Sequence, residues 1–305
     1  MGEVHDILTA RGKQAALEDG LDRDVVETAA TYMSNEESGV GFLYSGWCQS
    51  ALPHKRQPDD SIWQIEGERI SLLVEPGARV EGGKPVRVGV PYGSRARLIL
   101  IYLQSEALRT GKPEVELGRS LRHWFGKMGI TAGGKAIRDV RDQAERISRC
   151  RLSFHVTAGK RIGLVQQNIV ETAMFVDDED ARQGGLFAET ARLSEGFFHE
   201  LKKHPVPLED SAIKAISNNS QAIDIYCWLA YRLHALAAPT PISWPALKGQ
   251  FGQGVGRPRD FRTRFLPNLS LALAVYPAAK VEQTDVGLVL HPSRPPVAPK
   301  MIAVR

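Results

Sequence analysis

The sequence contains little cysteine and no arrangement of cysteines that suits a metal or a disulfide framework. Three occur in 305 residues, and they are far apart: Cys48, Cys150 and Cys227. The absence of a CxxC pair excludes a zinc ribbon and a disulfide-rich secreted scaffold. We therefore expect a reducing, cytoplasmic compartment.

Long apolar runs are also missing. Residues 98–103 are too few, and residues 222–238 are interrupted by Asp224, Arg232 and His234, whereas a membrane span needs about 20 apolar residues. The N-terminal residues are polar and lack the apolar centre of a signal peptide. We expect no membrane anchor.

Enzyme motifs are scarce. The eight histidines form no HxH or HExxH pair, and GxSxG does not occur. Residues 129–135 (GITAGGK) fit the GxxxxGK pattern of a phosphate-binding loop, but Ala136 stands where that loop needs Ser or Thr to hold Mg²⁺. We expect a protein that is not an enzyme, with no catalytic residue, no cofactor and no metal; a nucleotide-hydrolysing enzyme remains an alternative.

The charge is small in total but unevenly distributed. The chain has a formal net charge of +4. Residues 119–161 hold eleven Lys or Arg against three Asp or Glu, a local net of +8, and residues 248–264 hold five against one, a net of +4. The rest of the chain therefore carries −8. Basic segments on an acidic body are typical of proteins that bind polyanions, although solvated helix faces give the same pattern.

The first basic segment has the element order of a winged helix. In that fold the third helix enters the major groove and a hairpin wing touches the DNA backbone. Apolar spacing predicts, in order, a helix Arg95–Leu108, a short extended piece at Val115 and Leu117, a helix Ser120–Met128, a glycine turn, a basic helix Lys135–Ser148, and a hairpin of Arg151–Val156 and Arg161–Gln166.

The second basic segment repeats this order. Leu121, Phe125 and Gly126 match Leu247, Phe251 and Gly252 at one offset. The predicted elements are a helix Gln221–Ala237, an extended piece at 239–242, a helix Trp244–Phe251, a basic helix Arg259–Ser270, and a hairpin of Ala274–Pro277 and Asp285–Leu290. Such internal similarity predicts two copies of one module.

The sequence thus predicts an α+β protein with two tandem winged-helix domains. The predicted parts are a peripheral, partly helical extension 1–61, a first domain 62–176 with preceding strands, a linker 177–196, a second domain 197–293, and a Pro-rich tail 294–305.

Arginine and lysine in these modules are the candidate DNA contacts. The planar fork of Arg suits the guanine edge, and both cations neutralise phosphate. Base edges are assigned to Arg138, Arg141, Arg259 and Arg262, with Arg257 in the lead-in to the second basic helix. Phosphate contacts are assigned to Lys135, Arg146, Lys160, Arg161 and Arg264.

Several motifs resemble a known family. The run VPYGSRARLIL at 90–100, with LGRSL at 117–121 and WFG at 124–126, is similar to the plasmid-encoded RepA replication initiators. FFHEL at 197–201 and PVPL at 205–208 resemble that family too. The resemblance covers most of the chain but not the N-terminal extension or the tail.

The resemblance implies an initiator that binds repeated sites in double-stranded DNA at a plasmid origin. Such a protein helps to open the duplex and recruits the host DnaA and replicative helicase. Two modules would read one direct repeat from adjacent major grooves, and a homodimer in equilibrium with the monomer would regulate copy number. The alternatives are a transcriptional regulator of the same fold and an interaction module whose basic helices face an acidic partner.

Overall fold

The structure is a computed structural model that describes residues 3–35, 39–66, 70–117, 123–126, 128, 130, 133–158, 161–167, 169–175 and 188–298. The chain divides into two compact units. The terminal unit combines Met1–Gly41 with Val206–Arg305, and the central unit is Phe42–Pro205.

Both units combine helices with β-sheets, consistent with an α+β protein. The helices are α1 (Glu3–Glu18), α2 (Arg23–Met33), α3 (Gly93–Thr110), α4 (Gly134–Arg149), α5 (Glu195–Lys203), α6 (Asp210–Ala215), α7 (Ser220–Arg232), α8 (Trp244–Phe251) and α9 (Pro258–Ala274). The strands are β1 (Val40–Tyr44), β2 (Trp63–Ile65), β3 (Ile70–Glu75), β4 (Gly77–Glu81), β5 (Lys84–Val88), β6 (Glu114–Glu116), β7 (Arg151–Ala158), β8 (Arg161–Gln167), β9 (Val170–Phe175), β10 (Ala188–Leu193), β11 (Pro205–Glu209), β12 (Thr240–Ser243), β13 (Val281–Gln283) and β14 (Gly287–Leu290). Residues 123–126 are also helical, and Leu233–Ala235 form a 3₁₀ turn. No helix in the described ranges is long and apolar enough to cross a lipid bilayer.

The N-terminal helices belong to the core of the terminal unit. Val26 and Ala29 of α2 pack in one cluster with Ala16 of α1 and Ala274 of α9, and the His5 ring lies 2.8 Å from the Ala274 carbonyl oxygen. The prediction of a peripheral extension 1–61 is therefore wrong. Gly12, with φ 79° in the middle of α1, breaks the helical period that would have revealed the helix.

Helix α3 is the buried centre of the central unit. Every residue from Ala96 to Gln104 is buried, so the helix has no exposed face along that stretch. It ends at Gly111, whose φ of 68° is the left-handed conformation that glycine adopts readily.

The four strands that follow α4 belong to two different antiparallel sheets. Strands β7 and β8 extend a sheet in the order β2-β3-β7-β8, with Leu72 opposite Phe154. Strands β9 and β10 form a sheet with β6 in the order β6-β10-β9. The predicted hairpin of 151–156 and 161–166 forms as β7 and β8, but β7 pairs with β3 rather than with β6, the strand that follows the first helix of the series.

The predicted linker 177–196 is also wrong in part. Residues 188–193 are β10, whose Ala191 pairs with Val115 of β6 and Ala173 of β9. Ser194 then caps α5 by accepting a hydrogen bond from the Phe197 amide. The segment 176–187, between β9 and β10, lies outside the described residues.

The terminal unit ends in the same topology. Its sheet has the order β12-β14-β13, in which the strand after the first helix again pairs with the last strand. The predicted strand Ala274–Pro277 is wrong: α9 continues through Ala274 and the hairpin begins at Val281. The predicted helix Trp244–Phe251 is confirmed to the residue, with Ser243 as its N-cap.

Both units thus contain a helix, a strand, two further helices and a pair of antiparallel strands with one strand order, but in the central unit β7 and β8 come between α4 and the β9–β10 pair. The repeat read from the sequence has a counterpart in the sheet topology. Helices α4 and α9 occupy the same place in the two series, each as the third helix.

Candidate nucleic-acid interface

Helix α4 separates a buried face from a charged one. Val140, Gln143 and Ile147 are buried, whereas Lys135 and Arg138 in its first turns are exposed. The predicted outward direction of these two cations agrees with the structure. They are free to meet an anionic surface at the N-terminal half of the helix.

Arg141 lies one turn further along the flank of α4. Its side chain is half-buried, and Nε and Nη2 are buried without an acceptor in the described part of the chain. A buried donor left without a partner costs about 1–3 kcal/mol. An acceptor from outside the chain, such as a phosphate or a base edge, would remove that cost.

Arg146, predicted to bind phosphate, is instead a structural residue. Its side chain is only 4% exposed. It donates to Asp142 Oδ1 at 2.9 Å, to Asp59 Oδ1 at 3.2 Å and to the Val90 carbonyl oxygen at 3.4 Å. Its assignment to phosphate is therefore wrong, because its guanidinium is already occupied inside the protein.

Asp59 joins this buried arginine to the loop before β2. Partial burial opposes ionisation, but the hydrogen bond from Arg56 and the charge of Arg146 prevail and lower the pKa of Asp59. The carboxylate therefore stays ionised at neutral pH and keeps the loop fixed to α4.

The P-Y-G-S run is the point at which α4 meets the start of α3. The Tyr92 amide donates to Gln143 Oε1 at 2.7 Å, and the Arg146 guanidinium lies 5.3 Å from the Tyr92 ring centre. Arg97, also buried, donates to the carbonyl oxygens of Leu52 and Gly93. The most distinctive motif of the sequence therefore positions α4, a role that the sequence did not indicate.

Helix α9 presents three exposed arginines, Arg257 at its N-cap followed by Arg259 and Arg264. Arg262 is half-buried, and its guanidinium carbon lies 4.8 Å from the Trp244 ring centre. Stacking on an aromatic face leaves the edge of a guanidinium available for a planar acceptor. The opposite face of α9 is held by Phe261, Phe265 and Leu269, all buried.

The glycine turn before α9 borders an open cavity of about 470 Å³ against α8. Lys248 lines it and donates through Nζ to the Gly256 carbonyl oxygen at 3.0 Å. The matching turn before α4 includes Gly129, Thr131 and Ala132, which lie outside the described residues. Residues 123–126 before it are helical, whereas a phosphate-binding loop follows a strand.

The predicted wing cations are only partly described. Lys160 lies outside the described residues, and Arg161 begins β8 with no side-chain detail. Within the described ranges, no group of three His, Cys, Asp or Glu side chains is placed to hold a metal ion.

Sequence reasoning missed the ribbon formed by β4 and β5. Its base contacts the charged side of α4: Arg79 Nη1 lies 2.9 Å from Glu145 Oε2, and Arg149 Nη1 donates to the Ala78 carbonyl oxygen at 3.2 Å. The sequence predicted strands ahead of the first module, but nothing local showed that Gly77–Glu81 would be one of them or that a ribbon would reach the basic helix.

Comparison with known families decides where this chain belongs. The family described as plasmid-encoded RepA protein matches residues 90–244, just over half of the sequence. The chain belongs to the plasmid RepA family of replication initiators. The resemblance read from the P-Y-G-S run is thereby confirmed, and the match spans α3, α4 and α7 up to the start of α8.

A solved structure has a fold similar to that of this RepA family member. The crystal structure of domains 2 and 3 of RctB is similar with a TM-score of 0.53 and 11% identity, covering 83% of this chain and 99% of that one. A second structure of RctB domains 2–3 has a TM-score of 0.44 and 10% identity, covering 79% of this chain and 93% of that one. The comparison with curated protein sequences gives no match.

Proposed function

We propose that this protein initiates plasmid replication by binding repeated duplex DNA sites at the origin through two winged-helix modules. The observation that carries the proposal is the repeated topology: α4 and α9 each come before the last two strands of a three-stranded sheet, and the sheets β6-β10-β9 and β12-β14-β13 share one strand order. In this view α4 and α9 are the recognition helices, and the hairpins β9–β10 and β13–β14 are the wings.

The contacts follow from the exposure of the cations. Recognition helices read base edges with their N-terminal residues, which places Arg138 of α4 and Arg259 of α9 at the bases. Lys135, Arg257 and Arg264 serve phosphate. Arg141 donates hydrogen bonds to an acceptor on the DNA. Arg262, which is stacked on Trp244, reads a base edge.

Binding at the origin would then favour duplex opening and recruitment of the host DnaA and helicase, as the family implies. The protein itself would act without catalysis or cofactor, in the cytoplasm, with a homodimer in equilibrium with the DNA-binding monomer. Each of these steps rests on DNA binding, which is therefore the first property to test.

The test is a titration against the DNA beside the protein's own coding sequence and against a scrambled duplex, at several salt concentrations. A specific binder should prefer its own DNA by roughly a thousand-fold or more. Its affinity should fall steeply with salt, because each neutralised phosphate contributes about 0.9 to the slope of log affinity against log salt. A flat salt response with no preference would overturn the proposal.

The arrangement of the bound site separates an initiator from a regulator. Footprints on direct repeats of about 20 base pairs, roughly two helical turns, support two modules reading one repeat. A footprint on a single palindrome would instead assign the protein to transcriptional regulation.

A further inference from the structure

The β4–β5 ribbon lies on the same helical face that carries the exposed cations of α4. Arg138 and Glu145 are seven residues apart, which is two turns and about 10 Å along the helix axis. Glu145 and Arg149, which contact the ribbon base, therefore follow Arg138 on one side of α4. The N-terminal half of this side is open, and the C-terminal half meets the ribbon.

The ribbon projects from this base into solvent. Every residue from Val80 to Arg87 is exposed, including Val80 at 78%. Among the described strands, β4 and β5 pair only with each other. At the tip, Gly82 and Gly83 have φ of 56° and 74° and no atoms close to where a Cβ would stand. A two-stranded ribbon of this kind is marginally stable alone, and its tip is narrow.

The charge of the ribbon is complementary to a phosphate backbone. Glu81 is engaged by Arg79 at 3.0 Å, whereas Lys84 and Arg87 form no ion pair within the described residues. In the cross-strand register Lys84 lies opposite Glu81, on the ribbon face that also carries Arg79. Arg87 lies opposite Ala78, on the other face of the ribbon. The ribbon thus carries one unpaired cation on each face.

We propose that the β4–β5 ribbon is an additional DNA-binding element, in which Lys84 and Arg87 bind backbone phosphates next to the groove that α4 enters. The inference rests on the proposed function, since it needs α4 to lie on duplex DNA. It adds to the winged-helix module a contact that comes before it in the chain and outside the residues matched by the family.

The experiment measures the salt dependence of binding for Lys84→Ala/Arg87→Ala, with the full chain on both the specific and the scrambled duplex. Two lost phosphate contacts should make the slope of log affinity against log salt shallower by about 1.8. The preference for the specific site should stay unchanged, because phosphate contacts carry no sequence information. Lys84→Arg/Arg87→Lys should restore the wild-type slope.

A matched control removes the same net charge from the same unit. Arg109 and Lys112 are exposed and stand at the opposite end of α3, about 24 Å along the helix from its start beside α4. Arg109→Ala/Lys112→Ala should leave the slope at its wild-type value. Equal slopes for the two double variants would overturn the inference.

The failures of the two proposals can be told apart. If the wild-type protein shows no salt-dependent binding, the proposed function fails. If the wild type binds and Lys84→Ala/Arg87→Ala keeps its slope, only the ribbon inference fails. A third variant, Val80→Glu, tests whether the ribbon instead contacts a second copy of the chain. That role would be shown if analytical ultracentrifugation detects the loss of a dimer while the slope of log affinity against log salt stays at its wild-type value.

Discussion

The two units build one series of elements but support its last helix by different means. In the central unit, α4 is held at its polar side by the Arg146 ion pairs and by Gln143 on the Tyr92 amide. In the terminal unit, α9 is held by aromatic rings, with Phe261 and Phe265 centroids 5.1 Å apart. The same place in the series can thus be fixed by buried charge or by ring packing.

The hairpins differ as well. The β13–β14 hairpin carries Glu282 and Asp285, both exposed, and acidic side chains repel phosphate. The central unit adds the cationic β4–β5 ribbon beside its helix. We therefore expect the central unit to supply more of the salt-dependent affinity and the terminal unit to contribute mainly through α9.

Breaking the aromatic support should have the largest effect on stability. Phe265 is fully buried and contacts Trp244, Phe251 and Phe261. Phe265→Ala should lower the free energy of unfolding by about 3–5 kcal/mol, because a large cavity forms. Chemical denaturation measures the loss, and Thr263→Ala, at an exposed position of the same helix, is the control. An effect under about 1 kcal/mol would contradict ring packing as the support of α9.

Breaking the ionic support should have a smaller effect. Arg146→Ala should lower the free energy of unfolding by about 2–3 kcal/mol. Breaking a fully buried ion pair costs about 3–5 kcal/mol, and the cost is lower here because Asp59 and Asp142 are partly solvated. Arg109→Ala, which breaks an exposed pair with Glu106, should cost under about 1 kcal/mol. Equal losses in the two variants would show that Arg146 is no more structural than a surface arginine.

Comparing the two helices in binding is the next test. Arg138→Ala and Arg259→Ala should each weaken specific binding by about 1–3 kcal/mol and relax the preference at one half of the repeat. Quantitative footprinting on substituted repeats measures this. If Arg259→Ala weakens specific and scrambled DNA equally, α9 binds phosphate only and the units differ in role.

An effect that is absent at neutral pH concerns Cys150 of the central unit. Burial raises the pKa of its thiol to about 12. Since the unfolded thiol ionises near its ordinary value of 9, the unfolded state loses its proton first. The Cys150 contribution is complete below pH 9 and falls by about 1.4 kcal/mol per pH unit from there towards pH 12. The loss of unfolding free energy above pH 9 should be smaller in Cys150→Ala than in the wild type. An identical pH dependence would contradict the assignment.

Local pattern was enough to predict most helices of the two series. The basic helix predicted at Lys135–Ser148 is α4 with one residue more at each end, because its apolar positions recur at the helical period. Which strands pair with one another could not be predicted in the same way. Strands β7 and β8 form a hairpin in sequence, but their sheet is set by β3, about 80 residues earlier, and no local pattern encodes that choice.

The same limit applies to the candidate interface: local pattern predicts exposure along a helix but not contacts between distant segments. Exposure of Lys135 and Arg138 follows from the helix period. The burial of Arg146 does not, because one of its acids, Asp59, lies 87 residues away. Arg262 on Trp244 and the β4–β5 ribbon beside Glu145 are likewise contacts between distant segments. Sequence therefore located the basic helices but could not separate their structural arginines from those free to bind.

The terminal unit is assembled from both ends of the chain, and this orders events during synthesis. Helices α1 and α2 are synthesised well before α9, which completes their core and begins more than two hundred residues after α2 ends. At ordinary translation speeds that interval lasts roughly 10–45 s. The central unit is complete before then. A nascent chain therefore passes through a stage in which the central unit can fold while the apolar side of α1 and α2 is not yet covered by α9.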